Sequence, residues 1–222
     1  MRASSTLSQL KRLLLVFATG VMTVQSSAYA NDNAKDIGKI ELRHEFRLLV
    51  GYSPISPTLI GTTTDRRLGI AELSYSYRFR SWNQVSLSYT AGMLPGVILA
   101  QPLQIEVSGW GFNKEIPSHL VYGFGVMPVG LFAEFAKMRR WHPIAEINGG
   151  VVASTEPIPV KGINATGLNF LFNFGGGIRW RVNPKSALTA GYRFLHISNA
   201  NTTDFNPGLD NNVFYISYSL LH

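Results

Sequence analysis

The stretch Leu168-Asn169-Phe170-Leu171-Phe172-Asn173-Phe174-Gly175-Gly176-Gly177-Ile178-Arg179-Trp180-Arg181 decides the fold. Leu168, Phe170, Phe172, Phe174, Ile178 and Trp180 alternate with Asn169, Asn173, Arg179 and Arg181. A period of two belongs to a strand, whose successive side chains point to opposite faces; a helix repeats at about 3.6. The three glycines lie inside this pattern, with no helix and no Lys-Ser/Thr after them. They are therefore read as admitting curvature or aromatic packing, not as a phosphate loop.

The same alternation recurs on either side. Upstream, Leu42, His44, Phe46, Leu48 and Val50 alternate with Arg43, Glu45 and Arg47. Leu73, Tyr75, Tyr77 and Phe79 alternate with Glu72, Ser74, Ser76, Arg78 and Arg80, and Val85, Leu87 and Tyr89 follow suit. Leu120, Tyr122, Phe124 and Val126 form a further set that changes phase at Met127-Pro128, where Val129, Leu131, Ala133 and Phe135 take over; a bulge explains the switch. Ala145, Ile147 and Val151 flank Glu146 and Asn148. Downstream, Leu188, Ala190, Tyr192 and Phe194 alternate with Thr189, Gly191 and Arg193, and Phe214, Ile216, Tyr218 and Leu220 with Tyr215, Ser217 and Ser219. That makes eight strands and an all-β chain.

The face opposite the apolar one carries Arg43, Glu45, Arg47, Glu72, Arg78, Arg80, Glu134, Glu146, Arg179, Arg181 and Arg193. Eight antiparallel strands can close into a transmembrane barrel with apolar side chains outside and a polar interior. Closure pairs every backbone group, as a bilayer demands. Eight strands leave room only for side chains, so the Arg and Glu residues are expected to fill the barrel as an ion-pair network and not to line a pore. The connections at 81–83, 139–142 and 183–185 are short, and those at 52–67, 93–118, 153–166 and 197–211 are long. Short turns on one side and long loops on the other are the outer-membrane pattern. A secreted calycin-type barrel needs the inverse arrangement, apolar inside. Parity does not separate the two; loop asymmetry and aromatic abundance favour the membrane barrel. Its last strand would be Phe214–Leu220, although Leu221-His222 departs from the aromatic terminus usual in such barrels.

Composition agrees. Of 222 residues, 45 % are hydrophobic and only 15 % charged, with 12 % aromatic. Soluble domains carry about 25 % charged residues, yet a mean hydropathy of +0.08 is too low for a helical membrane protein. Without cysteine, a disulfide scaffold, a cysteine-ligated metal and a cysteine nucleophile are excluded. Residues 1–30 read as a signal peptide, with basic Arg2, Lys11 and Arg12, an apolar run Leu13–Val24 and Ala28-Tyr29-Ala30 for cleavage. That run is shorter than the roughly 20 residues a helical span needs. The barrel then occupies 31–222. No basic run tracks a phosphate backbone, so nucleic acid is not an expected partner.

The chemistry gathers at Tyr192-Arg193-Phe194-Leu195-His196-Ile197-Ser198-Asn199-Ala200 and Asn206-Pro207-Gly208-Leu209-Asp210. His196 and Ser198 are two apart, on one face of a strand with Cα atoms about 6.5–7 Å apart. Counting back through Phe194, Tyr192, Ala190 and Leu188 puts them on the lipid-facing side. Counting back from Leu220 gives Asp210 the same parity at the adjoining start of the last strand. Three residues with the chemistry of a nucleophile, a base and an orienting carboxylate therefore converge at the outer rim, either as the serine-hydrolase set recognised by geometry and not by order or as ordinary polar residues at a loop base. His44, His119, His142 and His222 have no metal-ligand spacing. Arg66, Arg67, Lys114 and Lys161 fall in the outer loops, as solvated charges or as partners of lipid phosphates.

The run His196-Ile197-Ser198-Asn199-Ala200, then Asn206-Pro207-Gly208, resembles the lipid A 3-O-deacylase family of PagL-like outer-membrane hydrolases. Gly123 to Pro128 (Gly-x-Gly-x-x-Pro) and the lead-in Pro184 to Arg193 resemble it too. The resemblance implies an eight-stranded outer-membrane barrel that hydrolyses the acyl ester at position 3 of lipid A in the outer leaflet, with no metal or other cofactor. It implies Ser198 as nucleophile and His196 as base. It places Asp210 where the family has Glu, with Asp204 as a second candidate. Asn206, with the backbone N–H near Asn199, would serve the oxyanion. A homodimer, a non-catalytic anchor or adhesin and a hydrolase of another membrane lipid stay open at this point.

Overall fold

A computed structural model describes residues 42–107, 113–159, 166–203 and 206–222. The proposed signal segment 1–30 lies outside them, as do Asp204 and Lys161 and the side chain of Lys114. Eight strands close into one antiparallel barrel: β1 (His44–Ser53), β2 (Arg67–Ser81), β3 (Val85–Gln101), β6 (His119–Phe135), β7 (Trp141–Ser154), β8 (Leu168–Asn183), β9 (Ser186–Ser198) and β10 (Leu209–Leu221). They run in the order β1-β10-β9-β8-β7-β6-β3-β2. The small hairpin β4 (Gln104–Val107) with β5 (Asn113–Ile116) stands in the second long loop.

The alternation holds. Phe46, Leu73, Phe124, Leu131, Phe170, Phe174, Ile178, Phe214 and Ile216 are exposed on the outer wall. In water such a wall would be an aggregation surface; in a bilayer it is matched to its solvent. The phase change in β6 is an irregularity of register between Val126 and Val129 against β7. The strands nevertheless reach further than the pattern shows. β3 continues to Gln101, past Pro95-Gly96, where its register with β6 shifts between Leu94 and Val97. β10 begins at Leu209, taking the last three residues of the expected loop. A proline-glycine step and the polar run Asp210-Asn211-Asn212 hide strand from an alternation count, though neither prevents pairing in a closed sheet.

The interior differs from the uniformly polar lumen expected. Only the half toward the short turns is ionic. There Arg193 meets Glu72 at 2.6 Å and Glu146 at 3.0 Å, and Arg47 meets Glu146 at 2.9 Å. Glu134 gathers Arg78 at 2.8 Å and His142 at 3.1 Å, and Arg179 lies 3.0 Å from Glu45. The Arg47 and Arg179 guanidinium groups stand 5.2 and 5.5 Å from the centre of the Phe132 ring. The half toward the long loops is uncharged and mostly apolar: Leu49, Leu68, Ile70, Leu94, Val97, Leu99, Val121, Val152, Leu171, Leu195, Ile197, Leu209 and Val213 are all buried. Among the inward positions of this half, Leu171 lies between Phe170 and Phe172, so the sequence there shows no alternation to mark the inner face.

Removing Arg193 leaves the buried Glu72 and Glu146 to share Arg47 alone. Arg193→Ala is expected to destabilise the barrel by about 3–5 kcal/mol. The urea midpoint for unfolding from phospholipid vesicles checks this.

The rim on the short-turn side is marked by tryptophan. Trp141 and Trp180 stack at 5.4 Å with planes 9° apart. Arg140 lies over Trp180 at 5.4 Å and Arg80 over Trp82 at 5.3 Å. Amphipathic rings capped by cations are what a membrane–water interface selects.

Candidate active site

Strand pairing brings the chemistry together. On β9, Arg193, Leu195 and Ile197 point inward and are buried, so His196 and Ser198 stand on the outer face with Leu188 and Tyr192. In the β9–β10 register Asp210 lies directly opposite His196. On the other side Phe172 lies opposite His196 and Phe170 opposite Ser198. Facing residues on neighbouring strands have Cβ atoms about 4.5–5.5 Å apart. The short aspartate side chain therefore reaches: Asp210 Oδ1 is 2.6 Å from His196 Nδ1. The missing methylene relative to glutamate leaves no gap here.

The site is on the outer face but is not bare. The first long loop, residues 54–66, folds over the start of β10. The N–H groups of Leu59, Ile60 and Gly61 donate to Asp210 Oδ2 at 2.8, 2.7 and 2.9 Å. Thr62 donates to the Pro207 carbonyl through both its N–H and its hydroxyl, and the Thr63 N–H donates to the Gly208 carbonyl. Asp210 is consequently fully buried, while the His196 side chain keeps 15 % of its surface. Ser198 is 9 % exposed. Among the described residues its Oγ has no hydrogen-bond partner, and neither has His196 Nε2.

Gly208, at φ +60°, packs against the imidazole. A Cβ there would stand 3.0 Å from both His196 Cε1 and the Gly61 Cα. Left-handed backbone and close approach both call for glycine at this position.

Asn199 and Asn206 also come together, but not as a ready pair of donors. The Asn199 N–H donates to Asn206 Oδ1 at 3.2 Å, and Asn206 Nδ2 donates to Asn201 Oδ1 at 3.1 Å. Asn199 is the hub of the turn that follows β9. Its carbonyl accepts from the Thr202 N–H and hydroxyl, and its Oδ1 accepts from the Asn201 N–H. Ala200 and Asn201 both take positive φ to make this turn.

Arg66, one of the four loop cations, is neither a solvated charge nor free to meet a lipid phosphate. It is buried, donating through Nη1 to the Thr64 carbonyl at 2.8 Å and through Nε to the Pro159 carbonyl at 3.4 Å. It ties the first long loop to the third, and burial pushes its guanidinium below the usual range. Arg67 stays exposed at the outer end of β2. Among the described residues no cluster of three or more His, Asp or Glu is placed to hold a metal. The three amides on Asp210 went unnoticed in the sequence because backbone donors leave no side-chain signature.

The sequence profile of the family described as lipid A 3-O-deacylase (PagL) matches residues 69–219. Comparison with curated proteins finds no match. Solved structures similar to the chain include the outer membrane enzyme PagL, at 18 % identity and TM-score 0.49, covering 79 % of this chain and 97 % of that one. Neisserial surface protein A follows at 10 % identity and TM-score 0.49, covering 81 % of this chain and 97 % of that one. Ail, the attachment invasion locus protein of Yersinia pestis, has 12 % identity and TM-score 0.38, covering 82 % of this chain and all of that one. Because the family profile spans more than half of the chain, from within β2 to within β10, this bacterial outer-membrane barrel belongs to the PagL family of lipid A deacylases.

Proposed function

We propose that the protein is a serine esterase that removes the 3-hydroxyacyl chain from position 3 of lipid A, with Ser198 as nucleophile, His196 as general base and Asp210 as its orienting carboxylate. The observation that carries this is the 2.6 Å contact between His196 Nδ1 and Asp210 Oδ1, on the outer face two residues before a serine. With Nδ1–H donated to the carboxylate, the basic nitrogen is Nε2. On substrate binding Nε2 takes the Ser198 proton as Oγ attacks the ester carbonyl. Such hydrogen bonds are often open without substrate and tighten in the complex.

The tetrahedral oxyanion needs donors, each contributing about 3 kcal/mol. Asn206 Nδ2 has one hydrogen on Asn201 and a second to offer. The Asn199 N–H joins it once its bond to Asn206 Oδ1 opens. Collapse expels the sugar hydroxyl, which takes the proton back from Nε2. Water at the rim then releases a 3-hydroxy fatty acid. Phe170 and Phe172, exposed on β8 beside Ser198 and His196, offer a wall for the acyl chain. Arg67 is the remaining described candidate for a lipid phosphate. Export by the 1–30 signal, cleaved after Ala30, delivers the barrel to its substrate.

Mass spectrometry of lipid A from cells expressing the protein tests the assignment. Loss of a single 3-hydroxyacyl chain, mapped to position 3, is the expected result. Loss from another position, or free fatty acid drawn from phospholipid instead, would replace the proposed substrate. The wall at Gly208 gives a second expectation. Gly208→Ala presses on the imidazole and is expected to lower kcat by about 10–100-fold, since misplacement of about 1 Å can cost a hundredfold. Initial rates on lipid A in detergent micelles check it, with the barrel verified by its heat-modifiable electrophoretic mobility.

A further inference from the structure

We infer that the segment Leu59-Ile60-Gly61 of the first long loop is a positioning element of the catalytic site, with Gly61 as its critical residue; the inference rests on the assignment of Asp210 as the carboxylate that orients His196. Three consecutive N–H groups aim at one oxygen, Asp210 Oδ2, at 2.7–2.9 Å. Successive amides converging on a point form an anion-binding nest. Here the anion is a side chain of the same protein. With Oδ2 pinned, the carboxylate loses its freedom to turn, and Oδ1 is left facing His196 Nδ1.

The strap is also locked to the other side of the imidazole. Thr62 and Thr63 bond the carbonyls of Pro207 and Gly208, and Gly208 is the residue that walls the ring. One strip of backbone therefore fixes both the carboxylate partner of His196 and its steric boundary. Gly61 is the tight point. A Cβ there would lie 2.7 Å from the Gly208 carbonyl carbon and 2.9 Å from the Leu209 nitrogen. Both are backbone atoms and neither can rotate away, so any side chain lifts the strap from β10. The side chains of Leu59 and Ile60 are by contrast exposed, so their truncation leaves the three amides in place.

A double-mutant cycle on the full barrel separates a positioning role from a structural one. In detergent micelles with lipid A as substrate, Gly61→Ala is expected to lower kcat by about 10–100-fold with KM nearly unchanged. In the Asp210→Ala background the same substitution is expected to cost at least several-fold less, because only its effect on the Gly208 wall then remains. Unchanged kcat in Gly61→Ala, or an equal loss in both backgrounds, overturns the proposal. The underlying assignment fails by a different signal: Asp210→Ala alone would leave the rate intact. If Gly61→Ala does not fold, Leu59→Pro removes one donor and adds nothing at the Gly208 contact. A several-fold loss of kcat that vanishes in the Asp210→Ala background supports the strap; no loss, or a loss that persists there, overturns it.

Discussion

Ser198→Ala is expected to abolish deacylation, lowering kcat/KM by about 10⁴–10⁶-fold while the barrel folds as before. The magnitude follows from what is lost. Without Oγ there is no acyl-enzyme, and the remaining groups can at best hold the ester near a water. Catalytic groups of this kind act as a unit, so His196→Gln on top of Ser198→Ala should add little. Folding should be spared because Ser198 Oγ has no hydrogen-bond partner among the described residues and caps no strand. Rates measured with purified protein, alongside electrophoretic mobility with and without heating, check both halves of the expectation. A variant that keeps its rate would remove Ser198 from the mechanism and leave a barrel whose outer-face histidine serves another purpose.

Asp210→Asn is expected to be the next most severe change, at about 10⁴-fold in kcat. An asparagine is the same size and can still accept from the strap amides. It presents an amide N–H to His196 Nδ1, however, and so selects the tautomer with its proton on Nε2. That tautomer cannot receive a proton from Ser198. The substitution thus tests polarity at constant shape, with the β9–β10 register intact. A loss of only a few-fold would mean that His196 takes its orientation from Gly208 packing alone.

Much of this was open to inspection in the sequence, for physical reasons. The period-two pattern survives because each outer residue must match lipid, whatever the turns do; Leu168 to Arg181 shows this without help. The β9–β10 parity count placed His196, Ser198 and Asp210 on one face because strands alternate strictly. The reach of Asp210 was not legible, since it depends on a cross-strand register that no local pattern encodes. Neither was the apolar half of the interior, where Leu171 lies between Phe170 and Phe172 so that alternation carries no contrast. Arg66 looked like a solvated charge or a phosphate ligand because its burial under two loops is a tertiary fact. The engagement of Asn199 with Asn206 lies in the same class: the two residues were identified, and the direction of the bond between them was not.

The tryptophan rim has a bearing on where the chemistry takes place. Trp180 is paired with Leu188, and Ser198 lies ten residues further along β9. At about 3.3 Å per residue that path is about 33 Å long. Inclined at the usual 35–45° it climbs about 23–27 Å, close to the roughly 25 Å apolar band of an outer-membrane barrel. The Trp141–Trp180 stack on the periplasmic side therefore acts as a depth gauge. By seating one rim at the inner boundary of the membrane, it sets the serine at the height where, in the opposite leaflet, acyl chain gives way to sugar. Thinning or thickening the bilayer would shift that height without touching a single residue of the site.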